Sequence, residues 1–479
     1  MCRFNKKEGK NMEQNNKSEH KGQFKSGFGF LMTAIGSAVG LGNLWGFPYK
    51  MGANGGFGFL LLYLVLVIFV GYVIMMTELA LGRRTGKGIV GAYETISKKY
   101  AFIGWMGAAA PWLILSFYSM LGGYCIKYAI ANLGDLFGAG WGVGGEDSAQ
   151  YFSVFTTDMV QTVIFSLIFV FLTVIIVRGG VSEGIERFNT IAMPSLFVML
   201  LIVIIRSVTL PGAAEGLAFM FKPDWSAFEG TGWITVLSVA GGQMFFSLSL
   251  GMSVMIAYGS YLPKEQNLER NALTIPLADT TVAIMAGLAT LPAVFAYGLE
   301  PSQGPGMLYV TLQAVFTNMG SLGGLFGFLF YALVFIAAIT SSISLLEGIS
   351  AVAMDRAIEK GKKPNRKKIV LLFGISVAIT SSLVSMDGLG ANGFPQFFGQ
   401  STWLDAIDLI AEGILMPLGA CYCAIVIPTS WVDEEVTLNG AKFRTKGFYD
   451  FCIKFVAPIM MVMILLGQID TFFGIGMFS

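Results

Sequence analysis

Three stretches of this chain set ion- and ligand-binding groups inside apolar surroundings. The first is Gly36-Ser37-Ala38-Val39-Gly40-Leu41-Gly42-Asn43-Leu44-Trp45-Gly46-Phe47-Pro48, within a segment otherwise apolar enough to be a membrane helix. The second is Gly241-Gly242-Gln243-Met244-Phe245-Phe246-Ser247-Leu248-Ser249-Leu250-Gly251-Met252-Ser253, and the third is Thr340-Ser341-Ser342. Gly, Asn and Pro inside a spanning helix break its backbone. An unpaired N–H or C=O costs several kcal/mol in lipid, so such breaks survive only inside protein or beside a polar cavity. A span that breaks near its middle is therefore a candidate binding site. Asp279 adds an ionisable group to an apolar segment, where it is expensive and functional by default. Other chemistries are excluded. The only histidine is His20, in a polar tail, and no nucleophile–base pair or pair of catalytic acids is found. Cys2, Cys125, Cys421, Cys423 and Cys452 form no even framework and read as buried free thiols.

The elements that must position these groups are membrane helices. Of 479 residues, 54% are hydrophobic and 13% charged, and the mean hydropathy is +0.67. A soluble domain carries about a quarter charged residues. Apolar spans are expected near Phe28–Met51, Phe57–Leu81, Phe102–Leu133, Met159–Val177, Ile191–Val208, Trp233–Leu262, Leu273–Tyr297, Leu322–Met354, Ile369–Val384, Leu404–Ile427 and Phe451–Phe473, about eleven helices. The lysine-rich tail, residues 1–25, has no apolar core of a signal peptide and reads as cytosolic. Basic residues then collect on alternate loops, most densely from Arg356 to Lys368, whereas Gly134–Thr157 carries only acids and Glu300–Ser321 no Lys or Arg. The positive-inside rule puts the N-terminus in the cytoplasm and the C-terminus outside. An outer loop without cysteine or glycosylation sequon suits a prokaryotic inner membrane. Met307–Phe316 is read as a short helical hairpin over the outer vestibule or an ordinary amphipathic loop.

The broken helices 1 and 6 would open two five-helix halves, residues 26–210 and 230–430, with an additional helix at 449–473. An odd number of spans per half inverts the second, the inverted-repeat logic of secondary transporters. Gly36–Pro48, Gln243–Met252 and Ala337–Ser342, with Gly184-Ile-Glu-Arg-Phe and Ile191-Ala-Met-Pro194, resemble the neurotransmitter:sodium symporter family, in the bacterial amino-acid transporter branch that includes LeuT. The similarity runs from about Phe24 to Asp470. It implies an all-α polytopic protein with a LeuT-like 5+5 inverted repeat.

The resemblance also implies a site. The substrate carboxylate would meet the N–H groups of Leu41 and Gly42, the Tyr118 hydroxyl and a sodium ion; half-helix N-termini favour anions. The amine would meet carbonyls of Ala38, Phe246 and Ser247. Ile114, Phe246, Ser249, Met252, Ser341 and Leu345 would surround the side chain. One sodium would use Ala38, Asn43, Ser247, Asp279 and the carboxylate; a second would use Gly36, Val39, Ala337, Thr340 and Ser341. Gly40 stands where amine transporters carry an Asp, which favours an amino acid, and Met252 leans toward a large apolar or aromatic one.

Several positions depart from the family pattern. Asp279 aligns with an Asn of the first sodium site and would supply the negative charge that chloride gives animal relatives, so chloride independence is expected. Gly46 replaces the outer-gate Arg, leaving Lys50, one turn on, to meet Asp408. Tyr261 and Asp355 match the inner gate, with Lys21 or Lys25 for the tail Arg, or Arg356 as the captor of Asp355. Gly184 and Pro194 match a motif that lets the cytoplasmic half of helix 5 unwind. Glu78 would brace a helix break; Glu347 and Glu412 have no assigned role. The reading is a sodium-coupled neutral amino acid symporter in a lipid bilayer, not an enzyme and without a nucleic-acid partner. A proton-coupled transporter and a transport-inactive sensor remain the alternatives.

Overall fold

A computed structural model describes residues 24–230, 232–301, 304 and 306–477. Lys21, expected at the inner gate, lies outside them. Among the described residues there are helices and connections and no strand. Among the described residues nine helices are long and apolar enough to cross a membrane. They are the second span Phe57–Thr85, third Lys98–Leu136, fourth Met159–Arg178, fifth Val181–Val208, seventh Leu268–Ala296, eighth Gly320–Glu359, ninth Arg366–Met386, tenth Trp403–Val426 and eleventh Lys446–Asp470. The first span is a pair, Gly27–Ala38 and Gly42–Ala53, bent by 47°. The sixth is Gly232–Ser247 and Val254–Gly259, each piece too short to cross alone.

The packing puts the broken spans in the middle. Nearly every residue from Gly29 to Met51 and from Val236 to Gly259 is buried or half-buried. The fourth, fifth and ninth spans instead expose large apolar side chains, among them Phe171, Ile175, Ile205 and Ile379. Apolar surface of that kind is what lipid covers, whereas broken backbone must be covered by protein.

Local chemistry accounts for each break. Ser26 caps the first helix, its hydroxyl accepting from Gly29 N at 2.9 Å. The helix ends at Val39, whose backbone is extended (φ −73°, ψ 106°). It resumes through a π turn, Gly42–Gly46, which runs directly into the helix Phe47–Ala53 that contains Pro48. In the sixth span Ser249 (φ 54°), Gly251 (φ 76°) and Ser253 (φ 60°) are left-handed. Side chains at such angles are uncommon and persist where the surroundings hold them. Gly251 is held most firmly. A Cβ there would strike the Met416 carbonyl of the tenth span, and its N–H donates to Glu78 Oε1 at 2.8 Å. Glu78 thus braces the break, as expected.

The loop after the seventh span forms a π turn, Met307–Thr311, and a helix, Leu312–Asn318; Trp45 Nε1 donates to Gly304 O at 3.1 Å. The opposite, basic end is laced by ion pairs: Lys25–Glu183, Arg83–Glu435 at 2.9 Å, Arg84–Glu434 at 2.6 Å and Arg356–Glu94 at 2.6 Å.

Glu78→Ala would strand the buried Gly251 N–H. Thermal unfolding of the purified protein is expected to show a loss of about 1–3 kcal/mol. Glu78→Gln keeps an acceptor and is expected to lose less.

Candidate functional site

The break in the first span faces the eighth span through Ser341. Its Oγ lies 3.3 Å from Gly36 O, 3.2 Å from Ser37 O and 3.2 Å from Val39 O. A hydroxyl has one proton, so it satisfies one of these three acceptors at a time. Thr340 Oγ1 donates to Ala337 O at 2.9 Å beside it. Gly36, Val39 and Ser341 thus bring buried oxygens together, and Ala337 and Thr340 flank Ser341 in the sequence of the eighth span.

A second cluster centres on Asp279, which is fully buried. Its Oδ1 accepts from Asn43 Nδ2 at 2.8 Å, and its Oδ2 from Ser247 Oγ at 2.8 Å and the Tyr63 hydroxyl at 3.3 Å. Asn43 turns its own carbonyl oxygen to Gly40 N at 3.0 Å. All three partners of the carboxylate are neutral, and no Lys or Arg among the described residues pairs with it. Its negative charge is hydrogen-bonded but not balanced. Tyr63 had no signal in the sequence, being one aromatic ring in a long apolar span.

Between the clusters lies a small cavity lined by Ala38, Gly42, Ile114, Tyr118, Phe246, Ser249, Met252, Ser341 and Leu345, with Ser37 and Gly40. Leu41 reaches it through its N–H, which donates to the Tyr118 hydroxyl at 2.9 Å; Ser247 points instead to Asp279. Ser249 Oγ donates to Ser37 O at 3.0 Å, closing the gap between the two breaks. A Cβ at Gly40 would collide with Ser341 Oγ and the Tyr118 hydroxyl. The rings of Tyr118 and Phe246 stand 6.5 Å apart at 47°, on two walls of the same cavity.

On the side away from the basic end the expected pair does not form. Lys50 Nζ sits 2.5 Å from Glu412 Oε1, not on Asp408, whose buried Oδ1 has no hydrogen-bond partner. The tenth span passes into a π turn, Leu409–Leu415, directly after Asp408. Asp408 and Glu412 are four residues apart and share a face, so spacing alone does not reveal which of them Lys50 meets. Gln243 fills the space beside Gly46: its Nε2 donates to Gly42 O at 2.7 Å, and its Oε1 lies 2.9 Å from where a Cβ at position 46 would be.

At the basic end Tyr261 donates to Glu347 Oε1 at 2.8 Å, and Glu347 pairs with Arg366 at 2.5 Å. Asp355 accepts from Gly88 N, while Arg356 is taken by Glu94 and Glu359 and does not capture Asp355. Glu186 fastens the start of the first span to the fifth, accepting from Lys25 N at 2.8 Å, Ser26 N at 3.2 Å and Ser26 Oγ at 3.1 Å. Gly184 lies in the π turn before that tether, and Pro194 sits inside the following helix.

Two central broken helices, buried oxygens at both breaks and a cavity between them define a membrane transporter. The model of the sodium:neurotransmitter symporter family matches residues 21–141 and 147–477, and the chain belongs to that family. An uncharacterized sodium-dependent transporter, YhdH, of Bacillus subtilis (strain 168) is 36% identical over 457 residues, 93% of this chain and 97% of the relative. One from Haemophilus influenzae is 33% identical over 471 residues, covering 96% and 100%. The crystal structure of MhsT in complex with L-phenylalanine superposes with a TM-score of 0.84 at 36% identity, over 94% of this chain and all of that one. The expected fold, the LeuT fold, and the absence of an enzymatic role for the family stand.

The Lys50–Glu412 pair is only 19% and 6% exposed. A double-mutant cycle of Lys50→Met and Glu412→Gln on thermal stability is expected to give a coupling of about 0.5–3 kcal/mol. The cycle of Lys50 with Asp408 is expected to give clearly less.

Proposed function

We propose that this protein is a sodium-coupled symporter that imports a neutral, large apolar or aromatic amino acid by alternating access and needs no chloride. The observation that carries the reading is the surplus of buried oxygen around Ser341: with Ser37 O served by Ser249 Oγ, the carbonyls of Gly36 and Val39 still share one hydroxyl proton. A hard cation with oxygen ligands resolves such a surplus. In this reading Gly36, Val39, Ala337, Thr340 and Ser341 hold one sodium. Ala38, Asn43, Ser247 and Asp279 hold another, together with the substrate carboxylate, and Asp279 makes chloride unnecessary because its charge is fixed in the chain.

The amino acid would lie in the cavity with its carboxylate at Leu41, Gly42 and Tyr118 and its amine at the carbonyls of Ala38, Phe246 and Ser247. Ile114, Met252 and Leu345 suit an apolar side chain, and the related MhsT was crystallised with L-phenylalanine. Lys50 with Glu412 would close the outer side, with Asp408 beside them. Tyr261 and Asp355, with Lys21, would belong to the inner side. The two halves would be residues 26–210 and 230–430, with the tail 1–25 in the cytoplasm and helix 449–473 added outside the repeat. The setting would be a prokaryotic inner membrane with the C-terminus outside. Each sodium entering a negative interior contributes about 2.3 kcal/mol per 100 mV to the uphill step.

The test is a thermal-shift screen of the twenty amino acids in sodium chloride, sodium gluconate and choline chloride. Phenylalanine or a similar residue is expected to stabilise the protein in both sodium salts and not in choline. Stabilisation in choline would favour proton coupling, and a requirement for chloride would remove the role given to Asp279. Ser341→Ala is expected to raise the sodium concentration needed for the shift by about tenfold or more.

A further inference from the structure

The connection between the eighth and ninth spans carries the densest positive charge in the chain. From Arg356 to Lys368 there are seven cations and one acid, Glu359. The two arginines are spent: Arg356 on Glu94 and Glu359, Arg366 on the buried Glu347. Lys360, Lys362, Lys363, Lys367 and Lys368 are exposed, and their side chains meet no carboxylate among the described residues. Elsewhere on the same end Lys25, Arg83, Arg84, Lys87 and Lys446 each have an acid within reach. Five like charges crowded into nine residues repel one another, so the structure tolerates them only with anions supplied from outside the chain.

The geometry says where those anions would be. The ninth span, Arg366–Met386, exposes Leu372 (57%), Ile375 (49%) and Ile379 (59%) as one stripe facing outward from the bundle. Lys368 precedes Leu372 by four residues and continues that stripe; Lys367 stands in the same relation to the exposed Leu371. Both lysines therefore lie at the end of a face that acyl chains cover, at the level of the headgroups. The depth has an independent marker. Trp105, half exposed at the start of the third span, lies 5.9 Å from the Arg356 guanidinium. An exposed indole among apolar residues at a span end is typical of the membrane–water boundary.

We propose that this connection is a binding surface for anionic phospholipid headgroups, with Lys367 and Lys368 on phosphates at the rim of the ninth span and Lys360, Lys362 and Lys363 on neighbouring ones. Each lysine near a charged bilayer surface adds on the order of a several-fold preference for acidic lipid. The surface is independent of which solute is carried and of how transport is driven. It also lies one residue from Arg366, so whatever holds the lysines acts next to the Arg366–Glu347–Tyr261 chain.

The full-length protein in a non-ionic detergent would be titrated with pyrene-labelled phosphatidylglycerol, the same label on phosphatidylcholine, and water-soluble glycerophosphoglycerol. Phosphatidylglycerol is expected to bind about tenfold or more tighter than phosphatidylcholine. The combined variant K360Q/K362Q/K363Q/K367Q/K368Q is expected to abolish the difference, and Arg at the same five positions to keep it, which separates charge from misfolding. Removing five charges elsewhere at that end, K98Q/K99Q/R178Q/R270Q/K442Q, is expected to leave the preference intact. Loss of the preference in this last variant, its survival in the first, or competition by the soluble headgroup as strong as by the lipid would each overturn the proposal.

Discussion

Every polar backbone group exposed by a break inside a membrane has to be answered by protein, and that single requirement organises this molecule. The first and sixth spans break at the same depth, and the answers come from five other helices. Glu78 of the second span takes the Gly251 N–H; Tyr118 of the third takes the Leu41 N–H. Asp279 of the seventh holds Asn43 and Ser247, Ser341 of the eighth meets three carbonyls, and Glu186 of the fifth caps the entry to the first span. The breaks also answer each other, through Ser249 to Ser37 and Gln243 to Gly42. The cavity is what remains between these contacts. Its walls are fixed by hydrogen bonds that the fold could not omit, so a binding site comes with the solution to a solvation problem.

The two oxygen clusters differ in kind. Around Asp279 the donors suffice and the excess is of charge: an ionised acid surrounded by an amide and two hydroxyls keeps its negative sign. Around Ser341 the charge is neutral and the excess is of acceptors. Both imbalances are relieved by a small cation, but a proton relieves only the first. That difference is the physical ground for separating sodium coupling from proton coupling at these two places.

Much of this was legible in the chain. The breaks at Gly36–Pro48 and Gly241–Ser253 were visible because glycine and polar residues interrupt runs that are otherwise apolar, and Asp279 because an acid in such a run is conspicuous. The residues expected to hold ions and to line the cavity come through resemblance, since spacing does not show that Ser341 meets Gly36 across 305 positions. What stayed hidden was of two sorts. Tyr63 and Tyr118 look alike in composition, and only packing sends one hydroxyl to Asp279 and the other to Leu41. The outer pair differs from the one expected because Asp408 and Glu412, four residues apart, offer Lys50 two acids on one face, and only packing selects Glu412. Glu347 was seen and left idle because Arg366, which answers it, lies across the connection at the start of the next helix.

The crowding of Gln243 against Gly46 also constrains how this chain can change over evolutionary time. An arginine at position 46 would place its Cβ 2.9 Å from Gln243 Oε1, the mobile end of a side chain whose Nε2 donates to Gly42 O, so that end would have to shift. Its intended partner, Asp408, would also face competition from a lysine already engaged one turn away on Glu412. An arginine at position 46 therefore calls for two adjustments at once, a shifted Gln243 side chain and a share of the acids beside Lys50.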